Sequence, residues 1–464
     1  MNAVSRHKRI VFFGTGGLLV LCASTPPASA DECCDVNADA IIASDPAMGD
    51  VFGWSVSVDG NYAVVGAPNK DGIVNDMGQA YVFTFNVGNQ TWEEQALLTA
   101  GLDAELRAHF GYSVAIAEDV AVIGAYRQDN GEYDHAGAAY IFVRNGVNWI
   151  QTAKLTGSDP GDSDEVGRSV AISGEVVVIG AILANNDDDP PVADTGAVYV
   201  WVKPAGGWGD ADGEEEDAKL TASDGMLLDL FGLSVSIDGD VIVVGASRTA
   251  LDHGTVYVFD KPANGWANAN EDFILTSPDG GAGDRFGQSV SIDGDRMVIG
   301  APFNDSDPQD NDEGAAYVFR FDGNDWIQEA KFSGCNESPH DQFGTSVAIS
   351  GLVAVIGAIQ PVGPMPGNGR ADAFRYLGTG WAQVGKPNAS DGESNDWFGQ
   401  SVSMSGDFVV IGAPFVDAEN PPPFQIGGFY VFDNFDLADA CDCPWDLDGN
   451  GDVGVGDLLA LLAA

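Results

Sequence analysis

Short runs of alternating apolar and polar residues recur seven times along the chain, separated by glycine-rich turns. The first copy reads Phe52-Gly-Trp-Ser-Val-Ser-Val. The same pattern begins again, after intervals of 55 to 65 residues, at Phe110, Val166, Phe231, Phe286, Phe343 and Phe398. Because alternation with a period of two residues is typical of a half-buried β-strand, each copy predicts one strand.

Each unit contains three further strand-like segments. A tight turn such as Asp59-Gly60 is followed by an apolar run that ends in Gly66-Ala67, and then by a run such as Ala80-Tyr-Val-Phe83. A fourth segment carries a tryptophan, as in Trp149 to Thr156. Four short strands in each unit of this length predict the blade of a β-propeller.

Seven such units predict an all-β, seven-bladed propeller that closes on itself. The seventh copy ends at Phe435 without a tryptophan segment of its own, whereas the stretch Ala38 to Asp45 matches Asp217 to Asp224 of the third unit. We therefore expect an N-terminal strand to complete the last blade. Closure leaves no blade with an unpaired edge inside the ring.

The units resemble FG-GAP repeats, named for their Phe-Gly and Gly-Ala-Pro motifs, which form the blades of integrin α-chain propellers. They are most similar to the short variant of secreted bacterial proteins, and the resemblance covers Asp31 to Phe435. Integrin-type repeats that bind calcium carry an Asp-rich loop between the two motifs. Here that interval is a tight turn such as Ile237-Asp-Gly-Asp240, so those calcium sites are not carried over.

The first thirty residues have the pattern of a secretory signal peptide. Arg6 to Arg9 are basic, Ile10 to Leu21 are apolar, and Ala28-Ser29-Ala30 is a small-residue cleavage site. A lipoprotein signal at Cys22 is the alternative, although bulky Leu21 disfavours it. No other apolar run is long enough for a membrane-spanning helix, so we expect secretion or a cell-surface location and no membrane span.

The chain carries 70 acidic and 20 basic residues among 464, for a formal net charge of −50. Nucleic-acid binders need a basic surface, so we expect no nucleic-acid partner. Acidic polymers are disfavoured as partners for the same reason, and cations, basic extracellular proteins and neutral glycans remain. The cysteines Cys33, Cys34, Cys441 and Cys443 lie near the two ends of the propeller, and a disulfide across its closure is a hypothesis; Cys335 is left over as a free thiol.

The loops that connect strand 4 to strand 1 and strand 2 to strand 3 share one face of a propeller, and here they are long and polar. An aspartate lies two residues before the repeated Phe or Val in six copies: Asp50, Asp164, Asp229, Asp284, Asp341 and Asp396. An aspartate at this position is most often a turn cap, and contact with a ligand or a metal is the alternative. Asp305 and Asp307 lie in a loop without the central glycine of a calcium loop.

Trp54 and Trp397, next to Phe-Gly motifs, are candidate exposed rings for the same binding face.

The repeated serine (Ser55 in the first copy) is expected to be structural, because a nucleophile is not needed seven times. The histidines form no metalloprotease motif and the serines no nucleophile elbow, so no enzymatic activity is indicated. Paired carboxylates of a glycosidase remain possible in principle among so many acids.

The C-terminal segment 436–464 contains a twelve-residue calcium loop, Asp446 to Asp457. Its oxygen ligands would be Asp446, Asp448, Asn450, Asp452 and Asp457, with Gly451 at the sharp turn. An aspartate at position 12 followed by Leu458-Leu459 resembles half of a type I dockerin, which implies a Ca²⁺ ion. A cohesin-like module or a second copy of the chain is the partner that this resemblance implies.

Together these features predict a secreted or surface protein for binding or adhesion, with domains at 1–30, 31–435 and 436–464. A polysaccharide-active enzyme or enzyme-complex component and a structural scaffold without a discrete ligand are the alternatives.

Overall fold

The computed structural model describes residues 35–131, 133–185, 194–305, 312–333, 340–359, 367–406, 408–417 and 425–432. The chain forms seven consecutive antiparallel sheets, which are the blades. Blades 1 to 4 consist of β2 (Ser55–Asp59), β3 (Tyr62–Ala67), β4 (Gln79–Asn86), β5 (Thr91–Leu98); β6 (Ser113–Ala117), β7 (Val120–Ala125), β8 (Ala138–Asn145), β9 (Asn148–Leu155); β10 (Val166–Ser173), β11 (Val176–Ala181), β12 (Ala197–Val202), β13 (Ala218–Leu220); and β14 (Ser234–Asp238), β15 (Val241–Ala246), β16 (Thr255–Asp260), β17 (Phe273–Leu275).

Blades 5 and 6 also have four strands in chain order, and three strands of blade 7 are described. They consist of β18 (Ser289–Asp293), β19 (Arg296–Ala301), β20 (Ala315–Phe321), β21 (Trp326–Phe332); β22 (Phe343–Ser350), β23 (Val353–Ala358), β24 (Arg370–Tyr376), β25 (Trp381–Ala389); and β26 (Ser401–Ser405), β27 (Phe408–Ala413), β28 (Gly428–Phe432). Short 3₁₀-helices cover Gly101–Asp103 and Trp208–Ala211, and a turn with a left-handed backbone covers Thr249–Asp252.

The N-terminal segment closes the ring, as the sequence predicts. Ile41 forms an antiparallel bridge with Phe429 of β28, with N–H···O distances of 2.8 and 3.0 Å in the two directions. Ile41 therefore takes the place of a fourth strand in blade 7. The sequence did not indicate the second contact of this segment: β1 (Asp35–Ala38) pairs in parallel with β25 of blade 6. The N-terminus thus joins the last two blades.

The Phe-Gly and Gly-Ala motifs have a physical explanation at the contact between blades. Phe52, at the start of blade 1, is buried and packs edge-on against Phe429 of blade 7 with 5.9 Å between ring centroids. Gly245 is the last residue but one of β15, where a Cβ atom would lie 2.0 Å from the carbonyl oxygen of Gly287 in the next blade. Only glycine allows the two backbones to approach so closely.

The repeated serine connects every blade to the next. Ser234 Oγ donates a hydrogen bond of 2.9 Å to the Gly287 carbonyl, and Ser401 Oγ closes the circle with a 3.1 Å bond to the Gly53 carbonyl. The other five serines make the same bond at 2.7 to 2.9 Å: Ser55, Ser113, Ser169, Ser289 and Ser346. We name these seven bonds the serine ring.

The apolar core lies between blades. Val178 and Val200 of blade 3 form one buried cluster with Ile242 and Val244 of blade 4. Since each blade buries apolar side chains on both faces, every blade needs two neighbours, and closure of the ring supplies them.

Candidate functional site

The two faces of the propeller differ in the length of their connections. We name the loop face the side formed by the 4–1 loops, which join strand 4 of one blade to strand 1 of the next, and by the 2–3 loops. The described residues of the 4–1 loops are 42–54, 99–112, 156–165, 221–233, 276–288, 333, 340–342 and 390–400, and those of the 2–3 loops are 68–78, 126–131, 133–137, 182–185, 194–196, 247–254, 302–305, 312–314, 359, 367–369, 414–417 and 425–427. On the opposite face, turns of two residues such as 60–61 and 239–240 join strands 1 and 2.

The repeated aspartates lie on the loop face but are buried, with exposed fractions of 1 to 8%. Their carboxylates accept a hydrogen bond from the backbone N–H three residues earlier, as from Gly281 to Asp284 at 2.8 Å. The same bond is made, at 2.6 to 2.8 Å, by Asp50, Asp164, Asp229 and Asp396. For Asp341 the residue at that position, 338, lies outside the described residues. This geometry is that of a turn cap.

Three of these aspartates also contact a polar side chain of the same blade, in the 2–3 loop for Asp50 and Asp284 and at the start of β24 for Asp341. Asp50 Oδ2 lies 2.8 Å from Lys70 Nζ, and Asp284 Oδ2 lies 2.5 Å from Asn304 Nδ2. Asp341 pairs with Arg370 at 3.1 Å.

Burial raises the pKa of Asp164 and of Asp396 to about 6, because the charged form is poorly solvated. The buried oxygens are engaged in the loops themselves.

A left-handed backbone follows the aspartate position in every blade. The residue before each repeated Phe or Val has φ between +52° and +60°: Val51, His109, Glu165, Leu230, Arg285, Gln342 and Trp397. Non-glycine residues rarely adopt this conformation. The turn therefore holds a strained residue, and it directs the chain into strand 1 in all seven blades.

The two tryptophans singled out by the sequence are both half-buried. The Trp397 ring packs edge-on against Phe415, with centroids 4.7 Å apart. Trp54 lines the axial cavity described below. Asp305 is exposed and caps its own loop by accepting the N–H of Asp312 at 2.8 Å, whereas Asp307 lies outside the described residues.

An axial cavity of about 230 Å³ runs between the first strands of all seven blades. Each blade contributes the residue after Phe-Gly, the serine of the serine ring and the following valine. We name the first of these positions the axial ring: Trp54, Tyr112, Arg168, Leu233, Gln288, Thr345 and Gln400. Sequence analysis did not identify these residues as a set, although they occupy the most variable position of a repeated motif.

One side of the axial ring combines aromatic rings with arginines. The Arg168 guanidinium lies 4.5 Å from the Tyr112 ring centroid and 5.0 Å from that of Tyr126, and Arg127 lies 5.2 Å from Tyr126. Trp54 contacts Tyr112 at 5.6 Å between centroids. We name these five residues the arginine corner.

Two titratable groups border the arginine corner. The His109 ring stacks on Tyr126 at 5.5 Å, and burial together with the charge of Arg127 lowers its pKa. Neutral His109 therefore adds no charge at pH 7. Burial raises the pKa of Glu165, an effect that Arg168 and Arg127 oppose.

The loop face, which has the longer connections, also holds most of the exposed apolar side chains outside the strands. Among the described residues, ten large exposed hydrophobic side chains lie in its loops: Ile42, Met48, Ile73, Leu102, Leu106, Tyr133, Met226, Leu227, Leu228 and Leu251. The connections on the opposite face carry four, Val87, Val147, Leu352 and Leu377.

The predicted metal and disulfide residues lie outside the described part of the chain. These are Asp446, Asp448, Asn450, Asp452 and Asp457, together with Cys33, Cys34, Cys441 and Cys443. Within the described ranges, no group of three or more His, Cys, Asp or Glu side chains is arranged to hold a metal ion. No helix in those ranges has the length and apolar character needed to span a membrane.

Comparison with known families matches this geometry to one repeat. The sequence model of the FG-GAP repeat matches seven segments of the chain: 37–83, 92–142, 149–201, 215–259, 270–319, 326–371 and 381–432. These segments cover most of the chain, which therefore belongs to the FG-GAP repeat family. No curated protein matches the chain.

Proposed function

We propose that this FG-GAP repeat protein is a secreted or cell-surface binding protein that adheres to an extracellular protein or glycan through its loop face. The observation that carries the proposal is an apolar run of three consecutive exposed residues on the loop face, Met226, Leu227 and Leu228. Exposed apolar side chains concentrated on one face are typical of interaction sites.

The fold supports this role because it holds many loops on a rigid frame. Strand pairing and the serine ring fix the base of every loop, so little conformational entropy is lost when the loops bind. Met226, Leu227 and Leu228 form the longest consecutive exposed apolar run, with exposed fractions of 67, 59 and 45%. Burial of such side chains is the main source of favourable binding free energy.

The experiment compares two triple variants of the full chain on arrays of purified glycans and extracellular proteins. Met226→Ser/Leu227→Ser/Leu228→Ser removes the apolar run of the loop face. Val87→Ser/Val147→Ser/Leu377→Ser is the matched control on the opposite face. We expect binding to fall at least tenfold in the first variant and to persist in the second.

Other outcomes would favour the alternatives. Equal loss in both variants contradicts the assignment of the binding face. Binding of no surface above an albumin control favours a scaffold without a discrete ligand. Release of reducing sugar ends from a bound polysaccharide favours the enzymatic alternative.

For the C-terminal segment we propose one Ca²⁺ ion bound by Asp446, Asp448, Asn450, Asp452 and Asp457. The alternation of oxygen-bearing residues in this loop supports the proposal, because Ca²⁺ takes six to eight oxygen ligands. The dockerin-like pattern suggests attachment to a cohesin-like module or to a second copy. Calorimetric titration of the full chain should show a site that is lost in Asp446→Ala. Sites that survive this substitution would place calcium on the propeller instead.

A further inference from the structure

The axial cavity differs in chemistry around its circumference. Leu233, Gln288, Thr345 and Gln400 offer one apolar and three neutral polar side chains, whereas the arginine corner offers rings and positive charge. All seven residues of the axial ring are half-buried, so each keeps part of its surface accessible. At about 230 Å³ the cavity is smaller than the ~300–1,000 Å³ pockets that enclose drug-sized ligands. It therefore suits a single small group.

The arginines of this corner lack the ion pairs that several other arginines have, a property that they share with Arg248 and Arg285 among the described residues. Arg144, Arg296 and Arg370 each have a carboxylate within 4.0 Å. In the described part of the chain, no carboxylate lies within that distance of Arg127 or Arg168, although acidic residues outnumber basic ones 70 to 20. Tyr112 and Tyr126 hold the two guanidinium groups through cation–π contacts instead.

We propose that the axial cavity binds a sugar residue that carries a carboxylate group, with Arg168 facing the carboxylate and Trp54 facing the sugar ring. A guanidinium group matches a carboxylate through two parallel hydrogen bonds, which neutral partners do not provide. The hydroxyl groups of a sugar suit the amide and hydroxyl groups of Gln288, Thr345 and Gln400, which can both donate and accept hydrogen bonds. This inference rests on the proposed binding function and names its ligand class.

The net charge of −50 does not prevent binding of an acidic sugar at this site. The Debye length is about 8 Å at physiological ionic strength, so distant surface carboxylates are largely screened. Close to the cavity the nearest charges dominate, and here they are Arg168, Arg127 and the Glu165 carboxyl, whose charged form burial disfavours. Affinity for an acidic sugar should consequently rise with moderate salt, as repulsion from the rest of the surface falls, before it declines at high salt.

The test uses the full chain and paired monosaccharide probes in calorimetry or saturation-transfer NMR. Galacturonate, glucuronate, mannuronate and N-acetylneuraminate are the acidic probes, and galactose, glucose and mannose are their neutral counterparts. Acetate and glutarate carry a carboxylate without a sugar ring. We expect at least one acidic sugar to bind about tenfold or more tightly than its neutral counterpart and than acetate.

Variants separate the arginine corner from the rest of the loop face. Arg168→Gln should weaken binding of the acidic sugar about tenfold or more and leave binding of a neutral sugar unchanged, and Trp54→Ala should weaken both. Arg248→Gln, an exposed arginine of another 2–3 loop, is the matched control and should change nothing. Melting curves of all variants verify that they are folded.

Several results would overturn the proposal. These are no binding of any acidic probe at 10 mM, equal affinity for acidic and neutral sugars, or full affinity in Arg168→Gln. Binding of acetate or glutarate as tight as that of the sugars would make the ligand a carboxylate from another source, such as a peptide. If these probes fail while the apolar loop-face variant still loses adhesion, only this inference fails and the proposed function stands.

Discussion

The second blade lacks one side chain that the comparable blades possess, and restoring it should stabilise the protein. In blades 1 and 5 the capping aspartate accepts a hydrogen bond from the side chain twenty residues later, Asp50 from Lys70 and Asp284 from Asn304. Blade 2 has Ala108 at the aspartate position. Gln128, twenty residues later, is fully buried, and neither polar atom of its side chain has a hydrogen-bond partner among the described residues.

The expected gain for Ala108→Asp follows from three contributions. A partner for the buried amide of Gln128 removes a penalty of about 1–3 kcal/mol, and a cap for the Glu105 N–H adds about 1 kcal/mol. Against this, burial raises the pKa of the comparable Asp164 and Asp396 to about 6, which costs up to about 3 kcal/mol at neutral pH. We therefore expect a gain of about 1–2 kcal/mol at pH 5 and little change at pH 7.

Urea unfolding followed by tryptophan fluorescence at pH 5 and pH 7 measures both values. Ala108→Asn is the control, because its amide oxygen is an acceptor without a charge and its effect should not depend on pH. Gln128→Leu should be neutral or stabilising in the wild-type background and destabilising beside Asp at position 108. Destabilisation by Ala108→Asn at both pH values, together with an equal effect of Gln128→Leu in both backgrounds, would refute the reasoning.

Three further predictions concern stability. Burial raises the pKa of Asp396 to about 6, so the folded state binds this proton more tightly than the unfolded state does. The wild-type protein therefore loses folding stability between about pH 4 and pH 6. The free energy of unfolding of Asp396→Asn, relative to that of the wild type, should be about 2–3 kcal/mol higher at pH 7 than at pH 4. Gly245→Ala should lower the free energy of unfolding by several kcal/mol in a urea titration, because the new Cβ meets a backbone oxygen. Gly239→Ala, with open space around it and φ of +56°, should lower it by only about 1–2 kcal/mol. Equal losses would contradict this account. Lys70→Met should lower the free energy of unfolding by about 3–5 kcal/mol in the same titration, because it leaves the Asp50 carboxylate buried without its cation. Adding Asp50→Asn should recover part of that loss. If it recovers none, packing and not charge is responsible.

The blades were predictable because their signals are local and repeated. Each Phe-Gly copy marks a turn into strand 1, and each Gly-Ala marks the end of strand 2, so seven copies predict seven sheets. Closure was predictable for the same reason, since the stretch that contains Ile41 matches the fourth strand of blade 3. The parallel pairing of β1 with β25 has no comparable signal, because it joins segments about 350 residues apart without a repeated motif.

The candidate site was less predictable, because it depends on distances between blades. The sequence shows six repeated aspartates but not that they are buried, and it shows Tyr112 and Arg168 56 residues apart but not 4.5 Å apart. The left-handed φ of Val51 and Arg285 also has no signal in residue type, since glycine or asparagine is the usual choice there. These features appear only once the ring is closed.

The serine ring has a consequence for how such a protein can change its specificity. In every blade the serine that holds two blades together is the immediate neighbour of the variable residue that lines the cavity, as Ser169 follows Arg168. Two adjacent residues of one motif thus have separate roles: the serine joins neighbouring blades, and the residue before it lines the cavity. The lining of the cavity can therefore be changed by substitution of one axial residue in any of the seven blades, while the hydrogen bonds between blades stay the same. The seven axial positions of one such protein can be varied independently, and substitution of one axial residue per blade is the direct way to obtain new binding specificities.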